Sequence, residues 1–326
     1  MFTVLYTLSC SSQNSIILLK KKQFSIKNYR NEMRKFVKNI SYYAKSIKPK
    51  FMIITQNGND LLLNKNKDVK RIFLQYVKSL DGVAQEDLFY GYSSFNIKTD
   101  VKISNRLLSH LQVAKNYKIP VFVTDYCKTS EYIKDSYAQS KRNGFVSYAA
   151  TTRSLSTISY YLNEIINENS QHIITLSDVK NFLYLINPKN YSSKDNFIAN
   201  LSKTNYDLLI IDLFFNNSII QINKQLKYKE NGSKRLVFAY LSIGEAEIYR
   251  YYWKKGWDKK KPIWISEENK KWPGNYKVKY WNKDWQNIIF GSQNSYVKKI
   301  IDAGFNGVYL DIIDAYEYFE QKTKRK

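Results

Sequence analysis

Eight short apolar runs, separated by stretches with helical periodicity, constrain the fold of this chain more than any other feature. They are Phe51–Asn57, Gly82–Glu86, Pro120–Asp125, Gly144–Tyr148, Phe182–Asn187, Tyr206–Asp212, Arg235–Ser242 and Gly307–Asp311. Each is β-branched or aromatic and apolar nearly throughout, as parallel strands covered on both faces are. Between them, Asn31–Ala44 places Met33, Phe36, Val37, Ile40 and Ala44 on one helical stripe. Val69–Leu80 does the same with Ile72, Phe73 and Val77. Arg106–Asn116, Asn196–Lys203 and Ser292–Ala303 are further helical segments. Strand–helix alternation repeated eight times predicts an α/β fold, a (β/α)8 TIM barrel. Such a barrel uses about 250 residues, and the chain has 326.

The composition excludes several classes. Five Pro and 11 Gly do not make a collagen-like or Pro-rich fibre, and 44% apolar residues supply a sizeable core. No apolar run approaches the roughly 18–20 residues that cross a bilayer as a helix. Cys10 and Cys127 are the only cysteines and His110 and His172 the only histidines, which leaves no disulfide framework and no Cys/His metal cluster. Neither a metal nor a cofactor is expected. The 52 basic residues exceed the 28 acidic ones, for a net charge of +24. Only nine of the 52 are Arg, and the lysines are spread along the chain. Phosphate and base recognition favours Arg forks, so the charge is read as composition and solubility, with no nucleic-acid partner.

Six of the eight runs end on a polar or acidic group: Asn57, Glu86, Asp125, Asn187, Asp212 and Asp311. In such barrels the C-terminal strand ends form the active-site face. One or two such groups could cap the helix that follows, but all six as caps is a poor explanation. The gap from the seventh run to the eighth is about twice the others and holds all six tryptophans, Trp253, Trp257, Trp264, Trp272, Trp281 and Trp285. Flat rings on a long βα loop suit stacking on sugar faces. Two or three of them are expected as exposed platforms, Trp253 and Trp272 among them, with the rest packing the loop. Glycosidic cleavage needs one carboxylic acid to protonate the leaving oxygen and a second carboxylate to attack the sugar or activate water. Glu86, Asp125, Asp212, Glu245, Asp311 and Asp314 are the candidates, and spacing alone does not select the pair. A Mg²⁺ site built from the same carboxylates is the physical rival, although no Gly-rich phosphate loop accompanies it.

The first residues end an apolar stretch at Leu8-Ser9-Cys10, which is similar to the end of a bacterial lipoprotein signal. Export with a membrane tether through Cys10 is the expectation, a cytoplasmic location the alternative. Residues 1–28 read as a signal- or tether-like arm and 29–326 as one barrel, a monomer.

Several stretches resemble glycoside hydrolase family 114, the endo-α-1,4-polygalactosaminidase family. They are Ala239–Arg250 with Tyr252-Trp253, Trp272–Tyr276 with Tyr280-Trp281, Gly304–Tyr316, Gln56-Asn-Gly, Gln85–Tyr90 and Thr124–Cys127. Members of the family were at times labelled as related to cysteinyl-tRNA synthetase, but no nucleotide-binding His motif is present here. The resemblance implies a (β/α)8 barrel that cleaves internal α-1,4 bonds of a galactosamine-containing polymer. It matches the family's catalytic carboxylates to Asp311, as nucleophile, and Glu86, as acid/base. It places Gln56, Asp125, Tyr126, Asp212, Tyr240, Glu245 and Asp314 where substrate contacts lie.

The order of the motifs departs from the family. Residues 29–157 match its second half and 180–320 its first, so the barrel reads as circularly permuted. Residues 158–179 would be the new linker, and the new ends would lie in the loop after Asp314. A non-catalytic carbohydrate-binding barrel and a polyanion-binding surface protein are the alternative functions.

Overall fold

The structure is a computed structural model that describes residues 28–64, 71–161 and 164–324. The tether-like arm, with Cys10, lies outside the described residues. Eight parallel strands carry the fold: β1 Met52–Gln56, β2 Gly82–Glu86, β3 Val121–Tyr126, β4 Val146–Ala150, β5 Phe182–Leu185, β6 Leu208–Asp212, β7 Leu236–Ser242 and β8 Gly307–Asp311. Their order in the sheet is β4-β3-β2-β1-β8-β7-β6-β5. The ends β4 and β5 touch across a seam without a hydrogen-bonded ladder. The ring thus follows chain order from β1 to β8, a nearly closed (β/α)8 TIM-type barrel.

Each expected strand is present, with ends moved by at most two residues. The strands are short and apolar on both faces because side chains alternate between the barrel lumen and the helical layer. In the lumen Phe122 meets Phe182 edge-on at 5.6 Å, and Tyr184 lies 5.1 Å from Tyr309. These rings fill the barrel below its carboxylate rim.

Helix α1, Tyr29–Ile47, is capped by the Asn28 side chain, which accepts from Asn31 N–H. Its stripe Met33, Phe36, Val37, Ile40 and Ala44 is fully buried, as the 3.6-residue period requires. It precedes β1 and packs on β1, on α2 (Leu74–Val77) and on the helices that flank β8. The outer layer continues with α3 (Val101–Asn116), α4 (Ser130–Asn143), α5 (Lys194–Ser202), α6 (Lys224–Lys227), α7 (Lys283–Ile289), α8 (Tyr296–Asp302) and α9 (Tyr316–Lys324).

Val69 and Lys70 lie outside the described residues, and over the rest of the helix expected at Val69–Leu80 only the single turn α2 is helical. Arg71-Ile72 instead pairs antiparallel with Leu63-Asn64, and Phe73 N–H donates to the Leu62 carbonyl at 3.1 Å. Backbone pairing there takes the place of the first helical turns. The segment expected from Ser292 begins helix only at Tyr296, after Gly291 at φ +97° and the cap position Ser295.

Between β4 and β5 the described residues form bends and one 3-10 turn, Leu176–Asp178, and no α-helix. Tyr206 donates to the Ser159 carbonyl at 2.6 Å, and Ile173 N–H to the Lys234 carbonyl at 3.0 Å. A fully buried ion pair, Lys229–Asp207 at 2.9 Å, is bonded to Asn169 of the same segment. This connection is therefore pinned to β6 and to the strand-entry loop of β7.

The chain end after β8 is also clasped. Arg30 of α1 bonds Glu320 of α9 at 2.8 Å and reaches Asp60, which also accepts from Tyr316. Tyr280 donates to the Tyr29 carbonyl at 2.8 Å. The barrel rim beside Asp311 is held by contacts between the two ends of the described chain. The long insertion after β7 carries a three-stranded antiparallel sheet in the order Glu245–Glu247, Asn275–Val278, Ile265–Glu268.

Candidate active site

The C-terminal strand ends open into a cavity of about 840 Å³. Its wall includes Glu86 and Asp311, with Asn57, Tyr126, Tyr184, Asp212, Tyr240, Glu245, Glu247 and Asp314 around them. Turn geometry explains why these side chains point inward. The residues directly after β1, β2 and β8 are Asn57, Asp87 and Ile312, with φ of 60°, 57° and 57°. A left-handed residue turns the backbone abruptly at each strand end. For a β-branched residue such as Ile312 that conformation is strained. Gly244 makes room for it, since a Cβ there would lie 2.3 Å from the Ile312 carbonyl oxygen.

Asp311 ends β8 and is nearly buried. Its Oδ2 accepts from the Tyr240 hydroxyl at 2.7 Å, and its Oδ1 from Ile312 N–H at 2.7 Å and Gln56 Nε2 at 3.2 Å. Burial pushes its pKa up to about 6, with help from the Glu245 and Glu247 charges, while the Tyr240 and Ile312 donors pull the other way. Three donors aimed at one carboxyl favour its ionised form.

Glu86 ends β2 and is half-buried. Its Oε1 accepts from the Tyr126 hydroxyl, and Asn57 Nδ2 lies 3.5 Å from its Oε2. Burial first, then the Asp311 and Asp87 charges, push its pKa up to about 8; Tyr126 and Arg153 oppose this only in part. The two carboxyls therefore differ, Glu86 holding its proton to higher pH than Asp311.

The acidic groups on the β6–β7 side are mostly neutralised by cations. Arg250, itself buried, bonds Asp212 at 2.8 Å and Glu247 at 2.5 Å. Lys277 pairs with Glu245 at 2.6 Å. Glu245 and Glu247 share one strand face, as alternate residues do. Asp314 sits half-buried in the turn after Asp311. Burial and the Asp311 charge raise its pKa to about 6. Among the described residues no three His, Cys, Asp or Glu side chains converge as a metal site would need.

Most of the expected site residues thus share one cavity: Glu86, Tyr126, Asp212, Tyr240, Glu245, Trp272, Asp311 and Asp314. Gln56 stands behind the wall as a donor to Asp311. Two lie elsewhere. Asp125 is fully buried, with Oδ1 accepting from Phe89 and Tyr90 N–H and Oδ2 from the Ser136 hydroxyl. It ties the loop after β2 and helix α4 to β3, facing the helices because its neighbour Tyr126 faces the lumen. Trp253 is half-buried against Trp257 and Tyr276, at 5.6 and 5.2 Å. Trp264 and Trp285 are buried too, so Trp272, 55% exposed, is the one tryptophan on the cavity wall. Tyr249 and Tyr251, both exposed, complete the aromatic rim there.

Sequence reasoning missed Arg153 and Arg250 as site residues. Arg250 closes the Ala239–Arg250 stretch and pairs with Glu247 three residues earlier, a signal that was available. Arg153, in the segment after β4, carries no local pattern that separates it from 51 other basic residues.

Comparison with known proteins bears on this cavity. Residues 180–326 match the model of glycoside-hydrolase family GH114. That segment supplies β5 to β8, and with them Asp212, Tyr240, Glu245 and Asp311. Three uncharacterized proteins are similar over part of the chain. One from Methanocaldococcus jannaschii is 36% identical over 159 residues, 47% of this chain and 43% of that protein. One from Deinococcus radiodurans is 37% identical over 117 residues, 36% of each. One from Thermotoga maritima is 51% identical over 84 residues, 26% of this chain and 25% of that protein. The matches thus span less than half the length of these relatives.

Proposed function

We propose that the protein is a glycoside hydrolase that cleaves internal α-1,4 bonds of a galactosamine-containing polysaccharide by a two-carboxylate mechanism. The observation that carries this reading is the pair Glu86 and Asp311 at the rim of one barrel, in environments that separate their protonation. Glycosidic cleavage needs one carboxyl protonated and one ionised at the same pH. Glu86, kept protonated by burial and by the Asp311 and Asp87 charges, donates a proton to the leaving oxygen. Asp311, held by Tyr240, Gln56 and Ile312 N–H, is the carboxylate that attacks the sugar. Water then releases the glycosyl group, with Glu86 acting as base.

The amino-sugar substrate follows from the resemblance and is supported by the walls of the cavity. Carboxylates outnumber cations there, which favours a cationic chain. Trp272, Tyr249 and Tyr251 offer ring faces for stacking. The proposal includes the permuted order of the halves. In its support, α1 precedes β1 yet packs beside β8, and no α-helix joins β4 to β5 among the described residues. The test is digestion of a partly deacetylated α-1,4-galactosamine polymer, with products read by mass spectrometry. Short oligomers are expected. Intact polymer in the presence of folded protein would rule out this substrate.

A further inference from the structure

We propose that Arg153, delivered by the segment after β4, is a positioning residue for the Glu86 carboxyl, acting through Asp87 and the Tyr126 phenol. The inference rests on the reading of Glu86 as the proton donor. Three contacts converge on this one guanidinium. Nη2 bonds Asp87 Oδ1 at 2.7 Å and Nη1 lies 3.3 Å from Asp87 Oδ2, a two-pronged pair. The guanidinium carbon lies 4.2 Å from the centre of the Tyr126 ring, stacked on its face. Nη2 also donates to the Gly91 carbonyl.

Two of these partners lead to Glu86. Asp87 is the next residue, in the left-handed turn that aims Glu86 inward. Tyr126 donates its hydroxyl to Glu86 Oε1. Arg153 thus fixes the turn on one side of Glu86 and the ring on the other. Gly91 completes the cradle. A Cβ there would lie 2.2 Å from Asp87 Oδ1 and 3.1 Å from Arg153 Nη2, and its φ is +118°. Only glycine lets the carbonyl reach the guanidinium while Asp87 keeps its place.

The charge also matters. The groups that face Glu86 are Asp87 beside it, Asp311 and Tyr309 from β8, Asn57 after β1, Tyr126 from β3 and Tyr184 from β5. Arg153 is the cation among them. It offsets Asp87, which otherwise adds to the Asp311 charge in holding the Glu86 proton. With Arg153 in place, Glu86 keeps its proton through neutral pH yet can release it, which both steps of the reaction need.

The test reads Glu86 directly, independent of any substrate. The side-chain carboxyl is followed by ¹³C NMR across pH 4–10 in the full chain, with the Glu86→Gln protein assigning the signal. Arg153→Met is expected to raise the Glu86 midpoint by about half to one pH unit, as loss of a nearby opposite charge does. Arg153→Lys keeps the charge and is expected to leave the midpoint near that of the natural protein. If Arg153→Met does not fold, Asp87→Asn is expected to lower the midpoint instead. An unchanged midpoint in folded Arg153→Met, or in Asp87→Asn, overturns the inference. Turnover, measured on the same proteins, reports separately on the hydrolase reading. An Arg153→Met protein with a shifted midpoint and a natural protein with no hydrolysis would leave the positioning role standing and remove the reaction.

Discussion

Replacing Glu86 with glutamine separates the demands of the site from the demands of the fold. Glu86 has an ordinary pKa of 4.5 and a value near 8 in the folded chain. Below pH 4.5 folded and unfolded chains both hold the proton, and the site costs nothing. Between the two values the folded chain keeps a proton that the unfolded chain has released. The native state then binds more protons, so stability falls as pH rises, and the loss levels off above the folded value. Each pH unit costs about 1.4 kcal/mol. By pH 7 the cost is at most about 3–4 kcal/mol, and water at the half-buried carboxyl reduces it to about 1–2 kcal/mol. Glutamine keeps the shape and an acceptor for Tyr126 without the titration. Urea unfolding at pH 4 and pH 8 should give equal stabilities at pH 4 and a more stable Glu86→Gln protein at pH 8. The midpoint of thermal unfolding at pH 8 should rise by about 2–4 °C for each kcal/mol. Equal stabilities at pH 8, or a more stable natural protein there, would refute the burial of a strained carboxyl at this position.

Other substitutions test the supports of the site. Gly244→Ala puts a methyl group 2.3 Å from the Ile312 carbonyl oxygen. It is expected to cost about 1–3 kcal/mol in unfolding measurements, as overpacking does, and to lower turnover by displacing the Asp311 turn. Lys229→Met leaves Asp207 buried without its cation. A loss of about 3–5 kcal/mol in urea unfolding is expected, together with faster proteolysis between β4 and β5, where Asn169 is anchored. Trp272→Ala removes an exposed ring from the cavity rim. Steady-state kinetics should show a higher KM for polymer with little change in stability.

The barrel was legible because its strands are covered on both faces and so read as unbroken apolar runs, while α1 shows a clean 3.6-residue stripe. The carboxylate rim was legible for the same reason, since a polar residue at the end of such a run has the cavity as its one tolerable destination. Asp125 shows where this fails. The run Pro120–Asp125 ends on it, but the strand continues to Tyr126. Alternation along the strand then puts Tyr126, and not Asp125, on the lumen side at the rim. The acid then turns to the helices, and the phenol enters the site. The tryptophans were visible as a cluster, but their exposure depends on the small sheet of the insertion. That sheet joins Glu245–Glu247 to Asn275–Val278 across some 30 residues of chain. Arg153 acts from beyond the end of β4, two strands from β2, through hydrogen bonds to residues more than 60 positions away, and no local pattern encodes such a meeting.

The central claim is that Glu86 and Asp311 together break a glycosidic bond. It is tested most directly by comparing Asp311→Asn and Glu86→Gln with the natural protein for polymer binding and for oligomer release. The account predicts short oligomers from the natural protein, none above background from either variant, and polymer binding retained by both. Oligomers released by either variant at the natural rate would contradict it.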